Sequence, residues 1–168
     1  GGPLPVEDNG DFGRWLIEKG EEWGTRSRRR RRGGPLDLPA MKRGLRGLGV
    51  KGIDSIALLK MDVLSQLPEV PVCVAWDIEG KLYFTAPTFD PEVLKRVKPV
   101  IRTLKGWDQD ISRITRMQDL PPEAANFILM VQNELGLPIE LIGTGRHRDH
   151  AIYPRGEVYR YDTSQLDI

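Results

Sequence analysis

Five consecutive arginines, Arg28 to Arg32, lie between glycines in the stretch GTRSRRRRRGGPLD. A guanidinium offers planar, paired donors that match a phosphate or a carboxylate. In an extended run, alternate side chains point the same way. Arg29 and Arg31 would then share one face and reach a single anionic ligand, while Arg28, Arg30 and Arg32 turn toward solvent or acidic neighbours. The plainer reading is a solvated basic loop, an import-type tract or a patch for phosphate backbones. No aromatic residue interrupts the run, which counts against stacking on single-stranded nucleic acid.

A second chemical pattern is LLKMDVL, with Lys60, Met61 and Asp62. A carboxylate accepts two parallel N–H bonds from the Watson–Crick edge of guanine, and adenine lacks those donors. A paired contact of this kind discriminates between bases by about 1–3 kcal/mol. The lysine stem can lie along the flat face of the base with its head in water. The alternative is that Asp62 caps a helix starting at Val63. A third pattern is Gly143-Thr144-Gly145, where glycines after a strand let the backbone approach a ligand or simply make a tight turn. His147 and His150 follow, the only histidines, and they are too few for a structural metal site, which needs about four ligands.

The elements that must carry these residues alternate between helix and strand, which indicates α/β organisation. Helices are expected over 11–20, 37–48 (Asp37 as N-cap, Pro39 in the first turn) and 121–136, the last with proline at its start and glycine at its end. Shorter helical pieces are expected in KMDVLSQL and FDPEVLKRV. Strands are expected over 54–59, 70–77, 81–86, 100–104 and 138–142, with an irregular segment around GWDQDIS and edge strands in IY and VYRY. Glu79-Gly80 reads as a hairpin turn. ALLKMD and ELIGTG both pass from apolar strand to polar or glycine-rich loop, where open α/β sheets hold their ligands.

Composition narrows the class. The 168 residues suit one domain with a real core, and the net charge of +1 gives no global pull toward nucleic acid or membrane. The single cysteine, Cys73, reads as buried and, with no apolar run near the ~20 residues of a membrane span, fits a reducing, cytoplasmic setting. The opening GGPLPVED starts within a turn and lacks an initiator Met, as expected of a piece of a longer chain.

Taken in order, GEEWGTRSRRRRRGGPLDL, SIALLKMDVL, VPVCVAW, GWDQDIS and LPPEAANFILMVQNELGLPIELIGTGRHRD resemble the C-terminal half of the adenylosuccinate synthetase family. The resemblance covers residues 1–152 and leaves 153–168 as a polar C-terminal tail. It implies an α/β fold related to the P-loop NTPases, a mixed sheet with flanking helices. It further implies a magnesium-dependent enzyme of purine (AMP) biosynthesis, usually a homodimer, that uses GTP to ligate L-aspartate to inosine monophosphate (IMP).

Carried over by motif, the loop 24–35 is the aspartate loop, with Thr25, Ser27, Arg29 and Arg31 toward aspartate. Arg29 also touches IMP, and Arg31 also lies near the GTP phosphates. Lys60, Met61 and Asp62 with Gly143, Thr144 and Gly145 are the guanine-binding segments. Two departures stand out. Ser27-Arg28 replaces the family's usual Thr-Gly, and glycine permits backbone conformations that arginine avoids. Pro35 stands where a bulky residue is usual.

No glycine-rich phosphate loop occurs in the 168 residues. The resemblance places that loop, the catalytic residues and the magnesium ligands in an N-terminal half, so the chain is expected to be a fragment or one part of a split enzyme, inactive alone. Two other readings stay open: a related synthetase acting on GMP or dGMP, and a non-catalytic basic module for nucleic acid.

Overall fold

The computed structural model describes residues 2–47 and 53–154. The chain is α/β and divides into two compact units, Gly1–Lys51 with Val70–Leu104, and Gly52–Glu69 with Lys105–Ile168. Expected elements at 48 and at 158–161 lie outside the described residues.

The first unit is built on β3 (Leu67–Ile78), whose two faces are occupied by Val70, Val72, Cys73, Ala75 and Trp76, all nearly inaccessible. The short β1 (Leu36–Asp37) pairs with it in parallel, Asp37 opposite Cys73. The antiparallel β4 (Lys81–Tyr83) returns from it through Glu79 and Gly80, and β5 (Lys98–Trp107) also pairs with β3. Both turn residues have positive φ, 55° and 84°, the requirement of a two-residue hairpin whose twist matches its strands. The core gathers Val6, Cys73, Trp76, Ala86 and Val97. Helix α1 spans Asp11–Lys19, α2 spans Leu38–Gly47, and the single-turn α3 spans Pro91–Leu94.

Asp37 caps the start of α2 as expected, accepting from the Ala40 N–H at 3.1 Å. It also accepts from the Trp76 indole at 3.0 Å. Burial pushes its carboxyl above the ordinary range, although the Ala40 and Trp76 bonds pull the other way. The folded state therefore binds this proton more tightly than the unfolded chain. Asp37's contribution to stability is full below the unfolded value of 3.8 and is lost as pH rises through the elevated folded value. Urea denaturation across this range should show wild type losing stability with rising pH more steeply than Asp37→Asn. Burial, with Asp37 nearby, also pushes the Cys73 thiol up to about 12, as befits an inert core residue.

The second unit carries a three-stranded sheet ordered β2 (Ile56–Leu58), β6 (Ile139–Gly143), β7 (Ala151–Ile152). β2 and β6 run parallel, with Leu58 opposite Ile142. Helix α4 (Pro122–Leu135) starts on proline and ends on Gly136 in the left-handed conformation, φ 67°. Its apolar stripe is buried, and Phe127 meets the Trp107 ring at 6.4 Å between centroids.

Three expectations need correction. β5 continues through Gly106 and Trp107, so GW is strand and not irregular; a side chain on Gly106 would overlap the Leu67 carbonyl, which is why only glycine continues the strand there. The strand after the hairpin stops at Tyr83 and does not reach residue 86. The turn after β2 is a 3₁₀ helix, Met61–Leu64, and begins two residues earlier than the cap reading of Asp62 required.

Candidate functional site

The candidate residues fall into two groups, one in each unit. In the second unit the structure brings Lys60, Met61 and Asp62 together with Gly143, Thr144 and Gly145. The cause is the parallel pairing of β2 with β6, which delivers both carboxyl ends to one sheet edge. A Cβ on Gly143 would lie 3.1 Å from the Leu59 side chain and 3.5 Å from the Lys60 nitrogen, so the two segments are in close register.

Each residue there has a distinct environment. Met61 is buried, so only its backbone is available to a ligand. Thr144 is also fully buried; its hydroxyl donates to the Ile114 carbonyl at 2.8 Å and its N–H to the His150 carbonyl at 2.9 Å. The threonine fixes the turn, and the glycines on either side provide the open backbone. Lys60 is exposed and adopts the left-handed conformation, φ 61°. Such strain in a non-glycine residue collects at functional sites.

Asp62 lies inside the 3₁₀ helix, half-buried, and is not its cap. Burial pushes its carboxyl above the ordinary value; its own N–H, Arg146 and Lys60 pull it down, and Asp110 pushes it up. Ser65 ties this helix to a third loop: its hydroxyl accepts from the Trp107 indole at 3.3 Å and from the Ile111 N–H at 3.4 Å. A Cβ on Gly145 would meet the Ser112 carbonyl at 2.7 Å, so the same loop also abuts the glycine turn. Arg146, Asp110 and Ser65 were missed by sequence reasoning. Arg146 directly follows the glycine turn and was within reach of that reasoning, whereas nothing in the sequence marks Asp110.

In the first unit the arginine run is a folded loop. Arg28 N–H donates to Gly24 O at 2.9 Å, Gly24 N–H to Arg29 O at 2.8 Å and Arg31 N–H to Glu22 O at 2.9 Å. Trp23 and Arg30 form an antiparallel bridge. Thr25, Arg26, Ser27 and Arg28 make the exposed tip, and Ser27 Oγ accepts from the Arg29 N–H at 3.3 Å. The alternation argument needs amendment at the start of the run. Arg28 is not extended but left-handed, φ 53°. Arg31, expected among the ligand arms, also donates to Glu22 at 2.9 Å, while Arg32 faces Glu7 at 3.5 Å as expected of that face.

Arg28 holds a backbone conformation that favours glycine. A left-handed φ costs a side-chain-bearing residue roughly 1–2 kcal/mol, partly offset by the larger unfolded entropy of glycine. Arg28→Gly should therefore stabilise the chain by about 1 kcal/mol or less in urea denaturation, leaving the loop path unchanged.

What fold and site define is an α/β protein whose candidate ligand site lies at the carboxyl ends of adjacent parallel strands, the usual ligand position in such sheets. The profile of the adenylosuccinate synthetase family matches residues 1–152, and the chain belongs to that family. It is 36% identical over 152 residues to the adenylosuccinate synthetase of Bdellovibrio bacteriovorus, covering 90% of this chain and 34% of that protein. It is 39% identical over 155 residues to the one from Mycosarcoma maydis, covering 92% of this chain and 34% of that protein. Among solved structures, a fully ligated adenylosuccinate synthetase from Plasmodium falciparum superposes with a TM-score of 0.85 at 35% identity, over 92% of this chain and 37% of that one. The chain thus spans about a third of the length of the relatives it matches. No helix among the described residues is long and apolar enough to cross a membrane.

Proposed function

We propose that this chain supplies the guanine- and aspartate-binding parts of an adenylosuccinate synthase. In that reaction GTP phosphorylates the 6-oxygen of IMP, and the aspartate amine displaces the phosphate to give adenylosuccinate. Asp62 reads the N–H edge of guanine, Lys60 covers the base, and the backbone of Gly143 to Gly145 approaches it. The loop 24–35 takes the anionic groups: Arg29 the IMP ribose side and, with Thr25 and Ser27, aspartate; Arg31 the aspartate carboxylate and the GTP phosphates. The observation that carries this reading is the side-by-side emergence of Lys60–Asp62 and Gly143–Gly145 from the paired ends of β2 and β6, within a family match over residues 1–152.

Magnesium acts in this reaction by neutralising phosphate charge. Such an ion is held by one or two carboxylates together with phosphate oxygens, and we assign none of those ligands to this chain. The catalytic residues and that site are assigned to the remaining length of the family fold, in the same chain or a separate one. The complete enzyme is proposed to be a cytoplasmic homodimer, and this chain alone to be inactive.

The Ser27-Arg28 departure keeps a related synthetase acting on GMP or dGMP as the alternative, which the purine pocket, assigned to the remaining length of the family fold, would decide. The Arg28 backbone holds a left-handed conformation that glycine adopts readily. The net charge of +1 counts against the nucleic-acid reading, because it gives no general attraction to a phosphate backbone.

An NMR titration of the isotope-labelled chain with GTP tests the assignment. Shift changes should concentrate at Lys60, Met61, Asp62, Gly143, Thr144, Gly145 and Arg31. Changes confined to Arg26, Arg28 and Arg30 would indicate unspecific phosphate binding by the loop instead.

A further inference from the structure

Glu22 stands just beyond the end of α1, and the chain there is fixed. Gly20 closes the helix by donating to Leu16 O at 3.0 Å, Glu22 N–H donates back to Ile17 O at 2.9 Å, and Ile17 is buried. Between them Glu21 takes a left-handed φ of 50°, which turns the chain so that Glu22 leaves the helix beside the returning arginine loop. Glu22 and Arg31 are then joined twice. The Arg31 N–H donates to the Glu22 carbonyl at 2.9 Å, and Arg31 Nη1 donates to Glu22 Oε2 at 2.9 Å. The Glu22 side chain is 26% exposed against 59% for Arg31, so the carboxylate of a mostly buried side chain holds a mostly exposed arm.

We propose that Glu22 is a positioning residue for Arg31, holding its guanidinium in the orientation that receives an anionic ligand. A guanidinium has five N–H donors in a rigid fork. The described contact with Glu22 uses one Nη1 donor and leaves the rest of the fork to meet a carboxylate or phosphate. An arginine carries about 2 kcal/mol of rotamer entropy. Restraining the arm before binding lowers the ordering cost at the moment the ligand arrives. The inference rests on the reading of Arg31 as a ligand arm and adds the residue that aims it.

The opposite effect is also physically available: a carboxylate on Arg31 can compete with the ligand for the same charge. The sign of one substitution separates the two. GTP binding to the 168-residue chain should weaken about two- to fivefold in Glu22→Ala, the range of an exposed ion pair. Glu22→Gln, which keeps an acceptor oxygen at the same reach, should recover most of the loss. In an Arg31→Ala background Glu22→Ala should have no further effect, because Glu22 acts through Arg31; a merely structural role would still cost affinity there. Tighter or unchanged binding by Glu22→Ala, or full additivity with Arg31→Ala, would overturn the proposal. If Arg31→Ala leaves GTP affinity intact, or the wild-type chain binds no GTP, the ligand-arm reading fails and the inference falls with it. If Arg31→Ala weakens binding and Glu22→Ala does not, only the positioning role is lost.

Discussion

Replacing Asp62 with alanine is expected to remove the chain's preference for GTP over ATP, lowering GTP affinity at least tenfold while changing ATP affinity little. Two parallel hydrogen bonds from guanine to an ionised carboxylate are at stake, and bonds to charged groups contribute roughly 1.5–3 kcal/mol. Truncation removes only the side chain, since the Asp62 carbonyl still accepts from the Ser65 N–H at 3.1 Å and keeps the turn closed. Competition binding with both nucleotides reads the effect directly. The wild-type preference should itself fade on acidification, because a protonated carboxyl cannot accept both bonds. Burial raises the Asp62 carboxyl, so the fading should begin at a higher pH than for an ordinary aspartate.

The largest effect on stability is expected at Gly34. A Cβ there would overlap the Val6 carbonyl oxygen, and it would lie 2.8 Å from the carbonyl carbon of the same residue. Val6 belongs to the core and the Asp8 N–H donates to the Gly33 carbonyl at 2.9 Å, so this segment has little room to retreat. On its other side a Cβ on Gly13 of α1 would overlap the Asp8 carbonyl. Gly34→Ala should therefore cost about 3 kcal/mol, or roughly 6–12 °C in Tm for a chain of this size. Gly33→Ala is the matched control. Its new methyl would meet Ile17 and Leu16 at 3.7 Å, an ordinary contact, and should change stability by less than about 1 kcal/mol. Thermal unfolding of the two variants side by side measures the contrast.

These two glycines also show where sequence reading reaches its limit. They are adjacent and identical in the chain, and only the path of residues 6–8 against one of them separates tolerance from collision. Local signals were legible where they acted locally. Pro122 and Gly136 bounded α4, Glu79-Gly80 made its hairpin, and Asp37 capped α2. The apolar runs leading to Lys60 and Gly143 placed both at strand ends, although β2 is less buried than its apolar run suggested, with Ala57 exposed and only Leu58 buried. The reading of Asp62 as a cap failed because a 3₁₀ turn starting at Met61 follows from packing Met61 and Val63 inward, a tertiary choice. Arg31's partner was likewise hidden. Glu22 lies nine positions away, and only the fold of the loop brings the two together.

The central claim is that the edge formed by Lys60–Asp62 and Gly143–Gly145 recognises guanine. Calorimetric titration of the unmodified chain with GTP and with ATP, under identical salt and pH, tests it most directly. The expected result is a GTP affinity at least tenfold above that for ATP; equal affinities for the two nucleotides would contradict the account.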